Sequence, residues 1–477
     1  MIKMKKKYLS DFFRQNKIFL VILFAAFIIR FFLFFQYHEV WWDSGVYIGM
    51  GKYIFSLGSA GLWEHLRPVL WPIVLGIGWK AGADVILFGR IMTFLLSIAS
   101  IFVFYLITSK IFSKKAAAIA SAMFAFSTIF FYMGFHLYTE IPTVFLVLLA
   151  SYFFIEGRHY IAGTLFGLAF LAKFPAPLFF ICALAILIYK REIRKSAYLV
   201  LGFATPVIPF LIANQVFYGN FLLPMIAGSR VINEVVGCNV LRYRPFYHYF
   251  YLILFDNPLN LFSLFGIFLF FRGCKKNFRK NKMMVYPFLC IVLPLAYFMQ
   301  MHCRDYRYLM VFLPFIIMFS AYGISSMIRK RKYFAPAVFL ILLLSLSLSF
   351  RFYEQNKQPV NYAAEEYFRF LSGTETELEI WAGDPTVSVY TDHKIGKIYY
   401  PIYDGSYAML FFEYLVLNEE RVGYVLLDNC GGGMMCPPGD SKCERQLNIT
   451  YSYLNDNFAL LYNKSHGRCN YLVYEND

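Results

Sequence analysis

Apolar stretches of about twenty residues recur through the first three quarters of the chain, separated by short runs rich in Lys and Arg. An α-helix of about 20 apolar residues is long enough to cross the hydrocarbon core of a bilayer. Of the 477 residues, 59% are hydrophobic and only 16% are charged, whereas a soluble protein has about 25% charged residues. The pattern predicts a polytopic α-helical membrane protein.

The basic runs predict the topology. They lie at residues 3–7, 110–115, 190–195, 272–282 and 329–332. Short loops rich in Lys and Arg remain on the cytoplasmic side, so anchoring explains the net charge of +16 better than nucleic-acid binding does. About eleven spans place every basic run on the same side, with a cytoplasmic N-terminus, in a plasma membrane or an ER-type membrane.

The predicted spans define a transmembrane domain over residues 1–351. They cover residues 17–36, 87–108, 116–134, 141–156, 160–189 (two helices broken at "KFPAP"), 197–214, 248–271, 284–300, 309–327 and 333–351. Residues 37–85 form the first external loop, and its apolar piece "RPVLWPIVLGIGW" is too short to span, so it is expected to lie at the interface.

Residues 352–477 differ in character and predict a small extracytoplasmic α/β domain. Strand-like runs such as "ELEIWAG", "KIGKIYYP" and "RVGYVLL" alternate with the helix-like "DGSYAMLFFEYLVLNEE". Four cysteines lie here: Cys430, Cys436, Cys443 and Cys469. In an external domain they allow two disulfides with three connectivities. Zinc ligation is the alternative, although the spacing matches no standard zinc motif.

Polar residues near the outer ends of the predicted spans are the candidates for chemistry. The acidic ones are Glu39, Asp43, Glu64 and Glu140, and cations include Arg67, Lys173 and Arg307. Ionisable groups at this depth cost stability, which makes function a reasonable hypothesis. Transfer of a sugar from a lipid phosphate to a hydroxyl needs a carboxylate base and cations around the leaving phosphate. One base and a departing phosphate predict inversion at the anomeric carbon.

Four segments carry a resemblance to a known superfamily. "WWDSGVYIGMGKYIF" followed by "RPVLWP" resembles the first external loop of the GT-C glycosyltransferases, in the branch of the protein O-mannosyltransferases and the lipid A aminoarabinose transferase. "FHLYTEIPTVFLVLLASYFF" resembles their second external loop. "GLAFLAKFPAP" resembles a glycine-rich helix ending in Lys, and "HCRDYRYLMVFLPF" a late Arg-Tyr segment. The similarity extends over about residues 17–330 and implies a GT-C-like helix arrangement.

The resemblance implies roles for individual residues. Asp43 would be the catalytic base and Glu140 a second catalytic acidic residue, while Arg67, Lys173 and Arg307 would bind the donor phosphate. Further candidate substrate contacts in these segments are His136, Tyr138, His302, Arg304 and Tyr308. Ser44 stands where the family commonly has Glu, and Arg67 stands in place of Lys. These departures leave the sugar and the acceptor open.

The expected partners are membrane lipid, a polyprenyl-phosphate-linked monosaccharide as donor, and a glycan, lipid or protein as acceptor. No cofactor is certain, and a divalent cation such as Mg²⁺ or Mn²⁺ between Asp43 and the donor phosphate stays open.

The same residues also fit purely structural roles. Asp43 suits a helix N-cap, Glu140 suits a helix N-terminus, and the cations suit interfacial snorkelling. A transporter or flippase of lipid-linked sugars, or a non-catalytic membrane scaffold, is the alternative function.

Overall fold

The computed structural model describes residues 14–234, 244–276, 282–301, 303–328, 330–374, 376–396, 398–402, 404–430 and 434–476. The chain forms two compact units. The helical unit consists of Met1–Gln36, Ile91–Phe221 and Arg244–Lys357, and the α/β unit of Tyr37–Arg90, Leu222–Tyr243 and Gln358–Asp477. Residues of the first external loop therefore group with the C-terminal residues.

Helices dominate the described residues. In chain order they are α1 Lys17–Phe34, α2 Trp42–Phe55, α3 Leu70–Lys80, α4 Val85–Ile111, α5 Lys114–Ala125, α6 Thr128–Met133, α7 Glu140–Ile155, α8 His159–Ala172, α9 Pro177–Tyr189, α10 Ile193–Tyr218, α11 Leu223–Glu234, α12 His248–Asp256, α13 Phe262–Lys276, α14 Val285–Gln300, α15 Leu309–Met327, α16 Phe334–Asn356, α17 Tyr362–Arg369, α18 Val387–Tyr390, α19 Ser406–Leu417 and α20 Ser441–Asn457. The strands are β1 Glu379–Ala382, β2 Val422–Asp428, β3 Ala459–His466 and β4 Cys469–Glu475.

Five segments in the described part of the chain are long and apolar enough to cross a membrane. They are Lys17–Phe34, Val85–Ile111, Ile193–Tyr218, Tyr306–Met327 and Arg331–Asn356. Shorter apolar helices include α7, α8, α9 and α14. A mostly helical membrane protein with a small C-terminal sheet is thus confirmed, and the number of about eleven spans stays a prediction.

The predicted helix over 116–134 is divided into α5 and α6 by two buried charges. Arg30 Nη2 donates to the carbonyl of Ala125 at 2.8 Å, at the C-terminus of α5. Asp256 Oδ1 accepts from Thr128 Oγ1 at 2.9 Å and from the amide of Ile129 at 3.2 Å, at the N-terminus of α6. A cation at a helix C-terminus and an anion at a helix N-terminus both match the helix dipole. Each side chain binds backbone groups at one of the two buried helix ends.

Helix α8 packs against α10 through glycines. A Cβ atom at Gly163 would lie 2.1 Å from the carbonyl oxygen of Leu199, and one at Gly167 would lie 2.6 Å from Cγ of Pro206. Glycines four positions apart let membrane helices approach closely. Helix α8 ends at Ala172, and Lys173 follows in an extended conformation. The break predicted at "KFPAP" is present.

The α/β unit contains a four-stranded sheet with strand order β1-β2-β4-β3. β1 and β2 are parallel, with Ala382 opposite Leu426, and the other two pairs are antiparallel. Disulfides join Cys430 to Cys469 and Cys436 to Cys443. The segment "KIGKIYYP", which was expected to form a strand, makes only isolated bridges at residues 394 and 395 in its described part.

Candidate functional site

Asp43 lies in the first turn of α2. Trp41 occupies the N-cap position in an extended conformation, so Asp43 is the second residue of the helix and not its cap. The residue is buried, with 8% of its surface exposed. Backbone N–H groups at a helix N-terminus favour a negative charge. The local sequence therefore places the Asp43 carboxylate at a helix N-terminus, where a negative charge is stabilised.

Arg67 bridges two carboxylates. Its Nη1 atom lies 3.1 Å from Asp43 Oδ1, and its Nε atom donates to Glu64 Oε2 at 2.8 Å. Burial alone lowers the pKa of Arg67, but the charges of Glu64 and Asp43 outweigh burial and raise this pKa above its ordinary value. We call Asp43, Glu64 and Arg67 the first-loop cluster. One cation between two carboxylates leaves the cluster with a net negative charge.

A second group of charges lies in the helical unit. Glu140 is the first residue of α7 and is 3% exposed. Lys173, at the break after α8, places Nζ 2.5 Å from Glu140 Oε1. The same ammonium lies 5.2 Å from the centre of the Tyr308 ring. An ion pair so little exposed to water is stronger than a surface pair, and the aromatic face adds a cation–π attraction.

Arg307 lies next to Tyr308 and contacts another predicted residue. Its guanidinium carbon lies 5.4 Å from the centre of the Tyr138 ring, and the Tyr138 ring stacks on His136 at 5.5 Å. Arg307 Nε also lies 3.3 Å from Asp305 Oδ2. We call Glu140, Lys173, Arg307, Tyr138 and Tyr308 the second-loop cluster. All five were predicted as site residues.

Arg304 does not join this group in the contacts that the structure describes. Arg304 donates from Nη2 to the carbonyl of Met299 at 2.8 Å and from Nη1 to the carbonyl of Arg244 at 2.6 Å. A cation on the last carbonyls of α14 is a helix-capping arrangement. The predicted substrate contact of Arg304 stays a prediction, and His302 lies outside the described residues.

Two residues near these clusters had no predicted role. Asp305 pairs with Arg307 and caps its short helical turn, since the amide of Arg307 donates to Asp305 Oδ1 at 2.9 Å. Its position two residues before Arg307 in "RDYRY" is the signal that could have revealed it. Lys52, near the end of α2, is buried at 3% exposure and has no such local signal. Within the described ranges, no group of three or more His, Cys, Asp or Glu residues could hold a metal ion.

Comparison with a protein-family model supports the resemblance. Residues 67–213 match the model described as dolichyl-phosphate-mannose-protein mannosyltransferase. This segment includes Arg67, Glu140 and Lys173, while Asp43 and Arg307 lie outside it. The comparison with curated proteins found no match.

Solved structures share the fold over nearly the whole chain. ArnT from Cupriavidus metallidurans bound to undecaprenyl phosphate aligns with a TM-score of 0.66 at 12% identity, covering 98% of each chain. The oligosaccharyltransferase of Archaeoglobus fulgidus in the apo form aligns with a TM-score of 0.61 at 13% identity, covering 96% of this chain and 74% of the other. The A. fulgidus enzyme AglB, in complex with an inhibitory peptide and a dolichol-phosphate, aligns with a TM-score of 0.60 at 13% identity, over 98% and 75%.

These matches confirm the predicted resemblance to the GT-C glycosyltransferases. The chain has the fold of that superfamily, and the fold alone does not specify the reaction.

Proposed function

We propose that the protein is a membrane glycosyltransferase that moves a monosaccharide from a polyprenyl-phosphate donor to an acceptor hydroxyl on the extracytoplasmic side. The family-model match and the GT-C fold support this class of reaction. The observation that carries the proposal is the Asp43 carboxylate, which is buried at a helix N-terminus and lies 3.1 Å from the Arg67 guanidinium.

In the proposed reaction Asp43 is the general base. The acceptor oxygen attacks the anomeric carbon while its proton passes to the Asp43 carboxylate. The bond between the anomeric carbon and the phosphate oxygen breaks, and polyprenyl phosphate leaves with one additional negative charge. Attack opposite the leaving group inverts the anomeric configuration. The reaction needs no nucleotide sugar.

Arg67 supports the base in this proposal. A neighbouring cation favours the ionised form of a carboxylate, so Arg67 helps Asp43 to remain able to accept a proton. Its fixed fork of N–H groups also suits contact with an oxygen of the donor phosphate. Because Glu64 shares the guanidinium, the position of Arg67 does not depend on Asp43 alone.

The second-loop cluster is proposed to bind the donor phosphate. Lys173 and Arg307 supply cationic N–H donors, which stabilise the charge that develops on a leaving phosphate. Glu140 holds the Lys173 ammonium, and the Tyr138 ring lies against the Arg307 guanidinium. Pairing with a carboxylate weakens the attraction of each cation for a resting anion. The leaving phosphate carries one more negative charge than the bound donor, so the cations stabilise the leaving group more strongly than the donor.

The test is release of polyprenyl phosphate from a labelled polyprenyl-phosphate sugar. Membranes that contain the protein, and that also supply glycan, lipid and protein acceptor hydroxyls, are given the donor, with Asp43→Asn compared with wild type. We expect turnover in wild type and a loss of about 100-fold or more in Asp43→Asn, because removal of a general base costs about 10²–10⁴-fold. The matched control is Asp456→Asn, an exposed residue of the same unit, which should behave as wild type.

A transporter or flippase is the alternative, and the same preparation separates the two. A transporter moves the intact donor across the bilayer and releases no polyprenyl phosphate in either form. Absence of release from the wild type over a panel of sugars would overturn the proposal. Repeating the assay with EDTA, then with Mg²⁺ or Mn²⁺ restored, decides whether a divalent cation takes part.

A further inference from the structure

Helix α2, which carries Asp43, packs against a segment more than 300 positions later in the chain. Trp42, Val46 and Met50 belong to one buried apolar cluster with Val387 and Ile395 of the α/β unit. Eleven of the 14 residues of the helix are buried, so little of its surface contacts solvent. Its position therefore depends on what it packs against.

Two glycines of α2 bring the helix backbone against residues 385–388. A Cβ atom at Gly45 would lie 2.7 Å from the amide nitrogen of Thr386, and one at Gly49 would lie 2.5 Å from Ser388 Oγ. Ser388 Oγ also donates to the carbonyl of Gly45 at 3.0 Å. No larger residue fits at either glycine without moving the neighbouring segment. The contact is specific to this pair of segments.

Lys52 closes the same contact at the other end of the helix. Its ammonium donates to the carbonyls of Val389 and Thr391 at 3.0 and 2.9 Å and lies 2.9 Å from Asp392 Oδ1. Asp392 in turn accepts from Trp79 Nε1 at 3.0 Å. Burial lowers the pKa of Lys52, although Asp392 opposes this shift. A buried ammonium with all its donors engaged holds two backbone segments in one geometry.

We infer that residues 385–392 position the Asp43 helix, so that the C-terminal residues have a catalytic support role, with Lys52 and Ser388 as positioning residues. The inference rests on the proposed function, since it gives Asp43 the role of base. A displacement of about 1 Å in a catalytic group costs up to about 100-fold in rate. The segment from Pro385 to Asp392 therefore acts on turnover without contacting substrate.

Two variants loosen this contact by different means. Lys52→Met removes the donors, and Gly45→Ala inserts a methyl group against Thr386 while raising the helix propensity of α2. Both should lower kcat about 10- to 100-fold and leave KM for the donor within about twofold, because binding is not what they change. Hydrogen exchange measured by mass spectrometry should become faster in residues 42–55 and stay unchanged in α20.

The control is Lys464→Met, an exposed lysine of the same unit paired with Glu366, which should leave kcat and exchange at wild-type values. If Lys52→Met and Gly45→Ala both keep the wild-type kcat, with or without faster exchange, the positioning role is wrong and the proposed function is unaffected. Absence of polyprenyl phosphate release from the wild type would instead overturn the proposed function. Because alanine favours the helix, faster exchange of α2 in Gly45→Ala reports a looser contact with residues 385–392 and not a lower intrinsic helix propensity.

Discussion

The Lys173 ammonium lies 2.5 Å from the Glu140 carboxylate, although the two residues are 33 positions apart in the chain. The pair joins the break after α8 to the start of α7. Both side chains are largely buried, with 12% of the lysine and 3% of the glutamate exposed. The geometry of the second-loop cluster depends on this contact.

Removing one charge of the pair should lower the free energy of unfolding more than removing both charges does. Glu140→Gln leaves a buried ammonium without its counter-charge, and such a change costs about 3–5 kcal/mol in the free energy of unfolding. The double variant Glu140→Gln/Lys173→Met should cost clearly less than the sum of the two single variants. Thermal unfolding of the four proteins measures this. If the losses of stability in the two single variants add up to the loss in the double variant, there is no coupling energy between Glu140 and Lys173.

Arg67→Met should move the pH profile of turnover. Without the guanidinium, Asp43 and Glu64 lose a neighbouring cation, and this loss favours the protonated form of a carboxylate. A base needs its deprotonated form, and the acid limb of kcat/KM against pH should therefore shift to higher pH. Arg468→Met, at an exposed position of the same unit, is the control. An unchanged profile with lower kcat would assign Arg67 to phosphate binding alone.

Asp384 should make the α/β unit less stable as pH rises. Burial raises the pKa of Asp384 from 3.8 to about 6, and Glu39 and Asp428 are the neighbouring carboxylates. The folded state therefore keeps a proton that the unfolded chain releases above about pH 4. Stability should fall between about pH 4 and pH 6, by up to about 3 kcal/mol, and stay lower above that range.

Asp384→Asn tests this expectation, because an amide oxygen can still accept from the amide of Thr386. The variant should be more stable than wild type at pH 7.5 and nearly equal to it at pH 3.5. Thermal unfolding at both pH values measures the difference. A variant with the same loss of stability as wild type would show that Asp384 is not the titrating group.

Asp256→Ala should destabilise the protein more than Asp256→Asn. Alanine leaves the Ser127 and Thr128 hydroxyls and the Ile129 amide without their acceptor, which we expect to cost about 3 kcal/mol or more. Asparagine keeps one acceptor oxygen and should cost less than half as much. Denaturation in detergent micelles compares the two variants. Equal losses would mean that the negative charge, not the hydrogen bonding, stabilises the end of α6.

The sequence was informative where the signal is local. Apolar runs located the helices, and Pro175 and Pro177 located the break at which Lys173 lies. Asp43 was recognisable because it follows a span directly and lies among aromatic residues. These features need only neighbouring residues for their interpretation.

Contacts between distant positions were not predictable in the same way. Nothing near Arg30 indicates that its acceptor is Ala125, 95 positions later, and so the division of the helix at 116–134 was missed. Lys52 looked like an ordinary helix-end lysine because its acceptors lie 337 and 339 positions away. Four cysteines likewise allow three pairings, and only the fold selects Cys430–Cys469 and Cys436–Cys443.

The position of Arg30 within α1 has a consequence for biogenesis. Ribosomal synthesis delivers this arginine well before residues 125 and 131, whose carbonyls later accept its hydrogen bonds. Arg30 lies four residues from the end of α1, and an arginine at the centre of a helix, the costliest position, costs about 2.5–3.5 kcal/mol on translocon scales. The phenylalanine and isoleucine residues around Arg30 must outweigh that cost until the third hydrophobic segment, residues 116–134, has been synthesised. Polar substitutions in α1 should therefore impair its insertion into the membrane.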